Sequence, residues 1–202
     1  MPYEYKYLGH PIDIRGLSIW PTETSVNSLS GRGVQDSVSY DDFVWNLDLP
    51  LVPDIEGIRN LAGEIEAHKA LMGFRTAFEQ EVPQKPRTLV GTADTGLFVS
   101  EEVASGEDEL PVTRSLSFLR VGRFINVAGD KALYSIKEIK SSSIRVKPNL
   151  RKTAPANAII ATDDGDVNVR AVYRITESFN RIVFGAGYSY APTIMLKEQP
   201  DV

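Results

Sequence analysis

The residues 24–72 constrain this chain most, because they read as loop, strand and helix in a fixed order. Phe43, Trp45, Leu47 and Leu49 alternate with Asn46 and Asp48, the period-two pattern of a strand with one buried face. Pro50 and Pro53 end that strand. Ile55, Ile58, Leu61, Ala62, Ile65, His68 and Met72 then recur every three or four residues, with Glu56, Arg59, Asn60, Glu64 and Lys69 opposite. This predicts one amphipathic helix from Asp54 to Met72, with Asp54 as N-cap and Gly73 at the C-terminal end. Gly57 and Gly63 each cost a helix interior about 1 kcal/mol relative to Ala. The helix must therefore gain its stability by packing, and it is expected to lie across a sheet.

Elsewhere the signals are short strands. Residues 3–8 and 12–19 alternate around Gly9-His10-Pro11 and predict a hairpin. Residues 21–42 are mostly Thr, Ser, Asn, Gly and Asp and predict a long surface loop. A strand is expected within 74–82, and Pro83-Gln84-Lys85-Pro86 then reads as a linker. Further strands are expected at 97–100, 115–119, 124–127, 132–136, 144–147 and 158–161, with Gly129-Asp130 as a two-residue hairpin loop. About five short strands in such a span point to a small β-barrel of OB type. The longest strand signal is 167–175, and a last strand at 193–197 is expected to pair back onto the first part of the chain.

Composition narrows the chemistry. The 202 residues are 42% hydrophobic and 24% charged, ordinary for a globular protein. There is no cysteine, which removes disulfides, thiolate nucleophiles and sulfur ligands together. The sequence has no apolar run long enough to span a bilayer, and its first residues lack signal-peptide order, so folding in the cytoplasm is expected. Asp164, Asp166 and Asn168 imitate the start of a calcium loop, but Val169 stands where Gly is required and Ile175 where the bidentate Glu belongs. Gly187-Tyr188-Ser189-Tyr190-Ala191 lacks the last Gly of a nucleophile elbow. His10 and His68 are isolated, and the carboxylates of 101–109 lie in a loop with no fixed separation. No catalytic, cofactor-binding or metal-binding residue is assigned, no cofactor is expected, and the chain is read as no enzyme.

A net charge of -5 conceals a local excess of the other sign. Residues 112–162 carry ten basic side chains, Arg114, Arg120, Arg123, Lys131, Lys137, Lys140, Arg145, Lys147, Arg151 and Lys152, against Asp130 and Glu138, a difference of +8. With Phe118, Phe124 and Tyr134 interleaved, one reading is a groove for single-stranded nucleic acid. The other reading, favoured because aromatics in small barrels face inward, is a barrel core balanced by the acidic loop.

The order of motifs resembles the distal tail proteins of long-tailed bacteriophages, in the small form with a second barrel. The segments are Ser28-Leu29-Ser30-Gly31-Arg32, the strand from Trp45 to Pro50, the helix, Gly73-Phe74, Val121-Gly122, Gly129-Asp130, Leu133-Tyr134-Ser135-Ile136, and Pro148-Asn149-Leu150-Arg151. Departures are the run before Trp45, where Gly-Gln-Arg is common, and the acidic loop at 101–109.

The resemblance implies a mainly β fold with one main α-helix, a tail-tube-like β-sandwich plus an OB-like β-barrel. The sandwich would comprise 1–87 together with 166–202, and the inserted barrel 88–165. It implies a structural virion protein at the tail tip or baseplate, a homo-hexamer joining tail tube protein to tail hub protein. The outward barrel would meet side fibres or a host-surface glycan. Residues 21–42 would be the arm that reaches a neighbour in the ring. The alternative is an OB-fold binding module for single-stranded nucleic acid or glycan.

Overall fold

The computed structural model describes residues 5–22, 25–29, 35–39, 43–51, 67, 77–84, 96–113, 119–162, 169–176 and 193–199. Among them the protein is mainly β. The expected helix of 54–72 lies outside the described residues apart from Ala67, and so do the strand of 115–119 save Leu119, the calcium-like run 163–168 and the near-elbow 187–191.

The chain begins with a small hairpin, β1 (Lys6–Tyr7) and β2 (His10–Pro11). Its turn is Leu8-Gly9, both at positive φ, as a two-residue hairpin loop of mirror-image type requires. The expected turn at 9–11 is thus displaced, and His10 pairs with Tyr7. The alternation of 12–19 does not give one strand. Ile12 bridges Leu51, and the Asp13 side chain accepts the Arg15 backbone N–H at 3.1 Å. That bond diverts the chain into a 3-10 turn, Ile14–Gly16, before β3 (Ser18–Thr22).

The expected loop at 21–42 also needs correction. It contains β4 (Ser25–Leu29) and β5 (Gln35–Ser39), paired antiparallel over five residues each. This is a two-stranded sheet with no third strand among the described residues. Polar composition reports poor burial of side chains, whereas a ribbon needs only its backbone groups paired.

The larger open sheet draws on both parts of the sequence. Its strands run in the order β3, β6 (Val44–Pro50), β15 (Thr193–Glu198), β14 (Arg170–Ile175) and β7 (Phe78–Glu81), all antiparallel. Along β6 the expected alternation holds, with Phe43, Trp45, Leu47 and Leu49 buried. They pack with Ile194 and Leu196 of the adjacent β15 and with Ala171, Tyr173 and Ile175 of β14 beyond it.

Six further strands, β8 (Leu97–Phe98), β9 (Glu109–Pro111), β10 (Phe124–Val127), β11 (Tyr134–Ile139), β12 (Ser143–Lys147) and β13 (Ile159–Ala161), make the second sheet. Their order is β8, β13, β10, β11, β12, β9. Val99 bridges Val112, and the Ser100 N–H donates to the Pro111 carbonyl at 2.9 Å. These bonds join the two outer strands, so the sheet curls into a ring of pairings, which leaves no long open edge. One strand, β9, was hidden from pattern reading because Glu109 and Pro111 flank a single inward Leu110.

Gly129-Asp130 is not a two-residue loop. Phe124 and Ile125 pair with Ser135 and Tyr134, but Asn126 and Val127 pair with Ala161 and Ile160 of β13. β10 thus changes partner midway, and residues 128–133 must cross the gap. The Asp130 N–H donates to the Val127 carbonyl at 3.0 Å with Gly129 at φ 90°, a turn that favours glycine at that place.

Candidate functional site at the seam of two sheets

Where β10 meets the residues before β11, neighbouring side chains point into different cores. Ile125 and Tyr134 face the interior of the curled sheet. Leu133, with Phe124 partly buried beside it, packs into the core of the five-stranded sheet. The alternation of an extended chain does this, so one short ribbon forms a wall common to both.

The polar groups of that wall are held individually. The Gln84 side chain satisfies both backbone groups of Phe124, accepting its N–H at 2.8 Å and donating to its carbonyl at 2.7 Å. Asn126 donates to the Ala132 carbonyl at 2.8 Å and accepts the Arg170 N–H at 2.6 Å. Arg151 donates its guanidinium to the Phe43 carbonyl, and its backbone N–H donates to the Tyr134 hydroxyl at 3.0 Å. That hydroxyl in turn donates to Asp130, whose other oxygen accepts the Ala132 N–H at 3.0 Å. Burial raises the Tyr134 phenol pKa further above its ordinary value.

At the centre lies Glu198, 0% exposed. Its carboxylate accepts the Trp45 N–H at 2.9 Å and the Leu133 N–H at 2.6 Å. The Trp45 indole N–H donates to the Leu133 carbonyl at 3.0 Å. The Trp45 ring meets Phe43 and Phe124 edge-on, with centroids 5.1 and 4.9 Å away. Lys147 places its ammonium 5.0 Å from the Phe43 centroid. Burial pushes the Glu198 carboxyl up to about 7, ahead of the opposing effect of its two amide bonds. Sequence reading missed this residue, since the alternation of 193–197 stops one position short of it.

Two of the basic residues of 112–162 are paired with the end of the acidic loop. Arg145 pairs with Asp108 at 2.7 Å, and Lys140 with Glu109 at 2.6 Å. Ser143 also donates to Glu109 at 2.6 Å, and the lysine and serine bonds hold that carboxyl below its ordinary pKa. The end of the acidic loop thus lies along β12, whose strand neighbour is β9. Of the aromatics, Tyr134 is fully buried and offers no stacking face, whereas the partly buried Phe124 meets Trp45 edge-on; Phe118 lies outside the described residues. His10 is half-buried. No group of three His, Asp or Glu among the described residues is placed to hold a metal, and no described helix is long and apolar enough to cross a membrane.

Comparison with models of protein families and with curated proteins finds no match.

Proposed function

We propose that this chain is a structural virion protein of the distal-tail type, a six-membered ring at the tail tip that joins the tube to the hub. The order of sequence motifs carries the proposal, and the arrangement of sheets supports it. A ring subunit needs a rigid plate, a module that can face outward, and an element free to engage a neighbour. The five-stranded sheet supplies the plate, and strands from both sides of the curled sheet in sequence build it. The curled sheet takes the place of the OB-like insertion, and the paired strands β4 and β5 form an arm within 21–42. The helix of 54–72 and the division into 1–87 with 166–202 and 88–165 belong to the same proposal.

In this reading function is geometric. Heterologous contacts that close on themselves fix the symmetry and bore of the ring, and no residue performs a reaction. The test is the mass in solution by light scattering at high protein concentration, with negative-stain images of the same peak. Six-fold rings with an open centre are expected. Replacing 25–39 by a short Gly-Ser linker is expected to abolish rings while keeping the folded far-ultraviolet spectrum; rings that still close would refute the arm's role.

A further inference from the structure

Glu198 joins elements far apart in sequence through a carboxylate that accepts two backbone N–H groups. One amide belongs to β6 and the other to the residues leading into β11. None of the ion pairs among the described residues includes Glu198.

Among the described residues its charged and titratable surroundings are few. Arg151, from the residues after β12, favours the ionised form by its charge, and Asp130, from the β10–β11 connection, opposes it. Tyr173 of β14 stands opposite Glu198 in register. Its buried hydroxyl has no partner among the described residues. Lys147 of β12 sits over the Phe43 ring. β6 places Trp45, Leu47 and Leu49 on the buried face, and none of them is charged. A cavity of about 230 Å³ opens along the same seam, bounded by Asn126, Lys131, Ile159, Arg170 and Val172, so the two sheets are not packed solid there.

We propose that Glu198 is a proton-operated clasp between the five-stranded sheet and the curled sheet, closing the seam when protonated and loosening it when ionised. The neutral carboxyl sits in the seam without the penalty of a buried charge. Ionised, the group is a buried anion that regains full hydration only when the seam opens. Glu198 binds its proton more tightly in the closed seam, near 7 against an ordinary 4.5. Closure is therefore favoured fully below about pH 4.5 and loses that advantage as pH rises through about 7. The two values differ enough to change the opening equilibrium by about 300-fold. The clasp stands whether or not the chain forms rings.

The test uses the full chain and two NMR readouts, the side-chain carboxyl carbon of Glu198 and amide hydrogen exchange corrected for intrinsic base catalysis. Expected are a carboxyl midpoint near 7 and protection at the Trp45 and Leu133 amides that falls together by about 100-fold between pH 5 and 8. The barrel amides of Ile144 and Val146 should hold theirs. Glu198→Gln should flatten the seam profile. A midpoint in the ordinary carboxylate range, an unchanged profile in Glu198→Gln, or equal loss in the barrel would each overturn the clasp. Should the Gln variant fail to fold, the wild-type carboxyl titration and the seam-against-barrel comparison decide alone.

Discussion

The curled six-stranded sheet and the open five-stranded sheet solve burial differently. The curled sheet encloses an apolar interior made from its own segment of chain, from Leu97 through Ile160, and keeps its ion pairs at the surface. The five-stranded sheet fills its core partly with side chains borrowed from the other, Leu133 and Phe124, and it buries a carboxylate at the border. A sheet that curls until its edges meet supplies its own lid, whereas an open sheet needs another element to cover its apolar face. The open sheet is therefore the dependent partner, and perturbing the seam should show in it first.

The sharpest way to break that comparison is Leu133→Ala set against Ile144→Ala. Both residues are 0% exposed, and each truncation should cost about 3 kcal/mol by urea unfolding. The location of the loss is the discriminating result. Hydrogen exchange should rise in β6, β14 and β15 for Leu133→Ala although position 133 belongs to the segment of the curled sheet, and in β9, β11 and β12 for Ile144→Ala. Loss confined to the curled sheet in both variants would end the claim that one core borrows from the other.

The pH response should have opposite signs in the two regions. Glu198, raised to about 7, contributes about 3 kcal/mol that is present in acid and lost as pH rises through neutrality. Glu109 is held low by its bonds to Lys140 and Ser143, so its contribution is present above the ordinary carboxylate range and lost as pH falls. Denaturant midpoints followed by Trp45 fluorescence in a Trp20→Phe background should decline from pH 5 to 8, and Glu198→Gln should remove most of that slope. Trp45 then becomes the single reporter, since the chain has two tryptophans.

A smaller effect is expected from Gln84→Ala. It strands the N–H and carbonyl of the partly buried Phe124, at a cost of about 1–2 kcal/mol. Faster exchange at the Phe124 amide with the stability of the curled sheet otherwise kept would sharpen the view of Gln84 as a fastener of the seam. The smallest effect is Lys140→Ala, which removes an exposed pair with Glu109. It should leave the urea midpoint nearly unchanged, and salt should erase any difference that remains.

Much of the open sheet was legible in the residues. Trp45, Leu47 and Leu49 alternate over enough positions to fix which face is buried, and 193–197 does pair back onto the first part of the chain. Legibility failed where a local bond or a change of partner overrode the pattern. The Asp13 side chain turned an alternating run into a 3-10 turn, and β10 exchanged β11 for β13 midway, which opened the expected Gly129-Asp130 hairpin. Strands β4 and β5 are polar ribbons whose pairing satisfies the backbone and leaves no apolar period to read.

By itself the sequence determined a β-rich chain without cysteine chemistry and the buried face of β6, because alternation and composition are local properties. Only the tertiary structure decided that Leu133 and Phe124 serve the neighbouring core, that the acidic loop's end lies along the basic strand, and that Glu198 is wholly buried. A carboxylate at a strand end looks solvent-facing in sequence. Its burial arises from the convergence of Trp45, Leu133 and Glu198, which are separated by 153 and 65 residues from Glu198 along the chain, and no local pattern carries information over that distance.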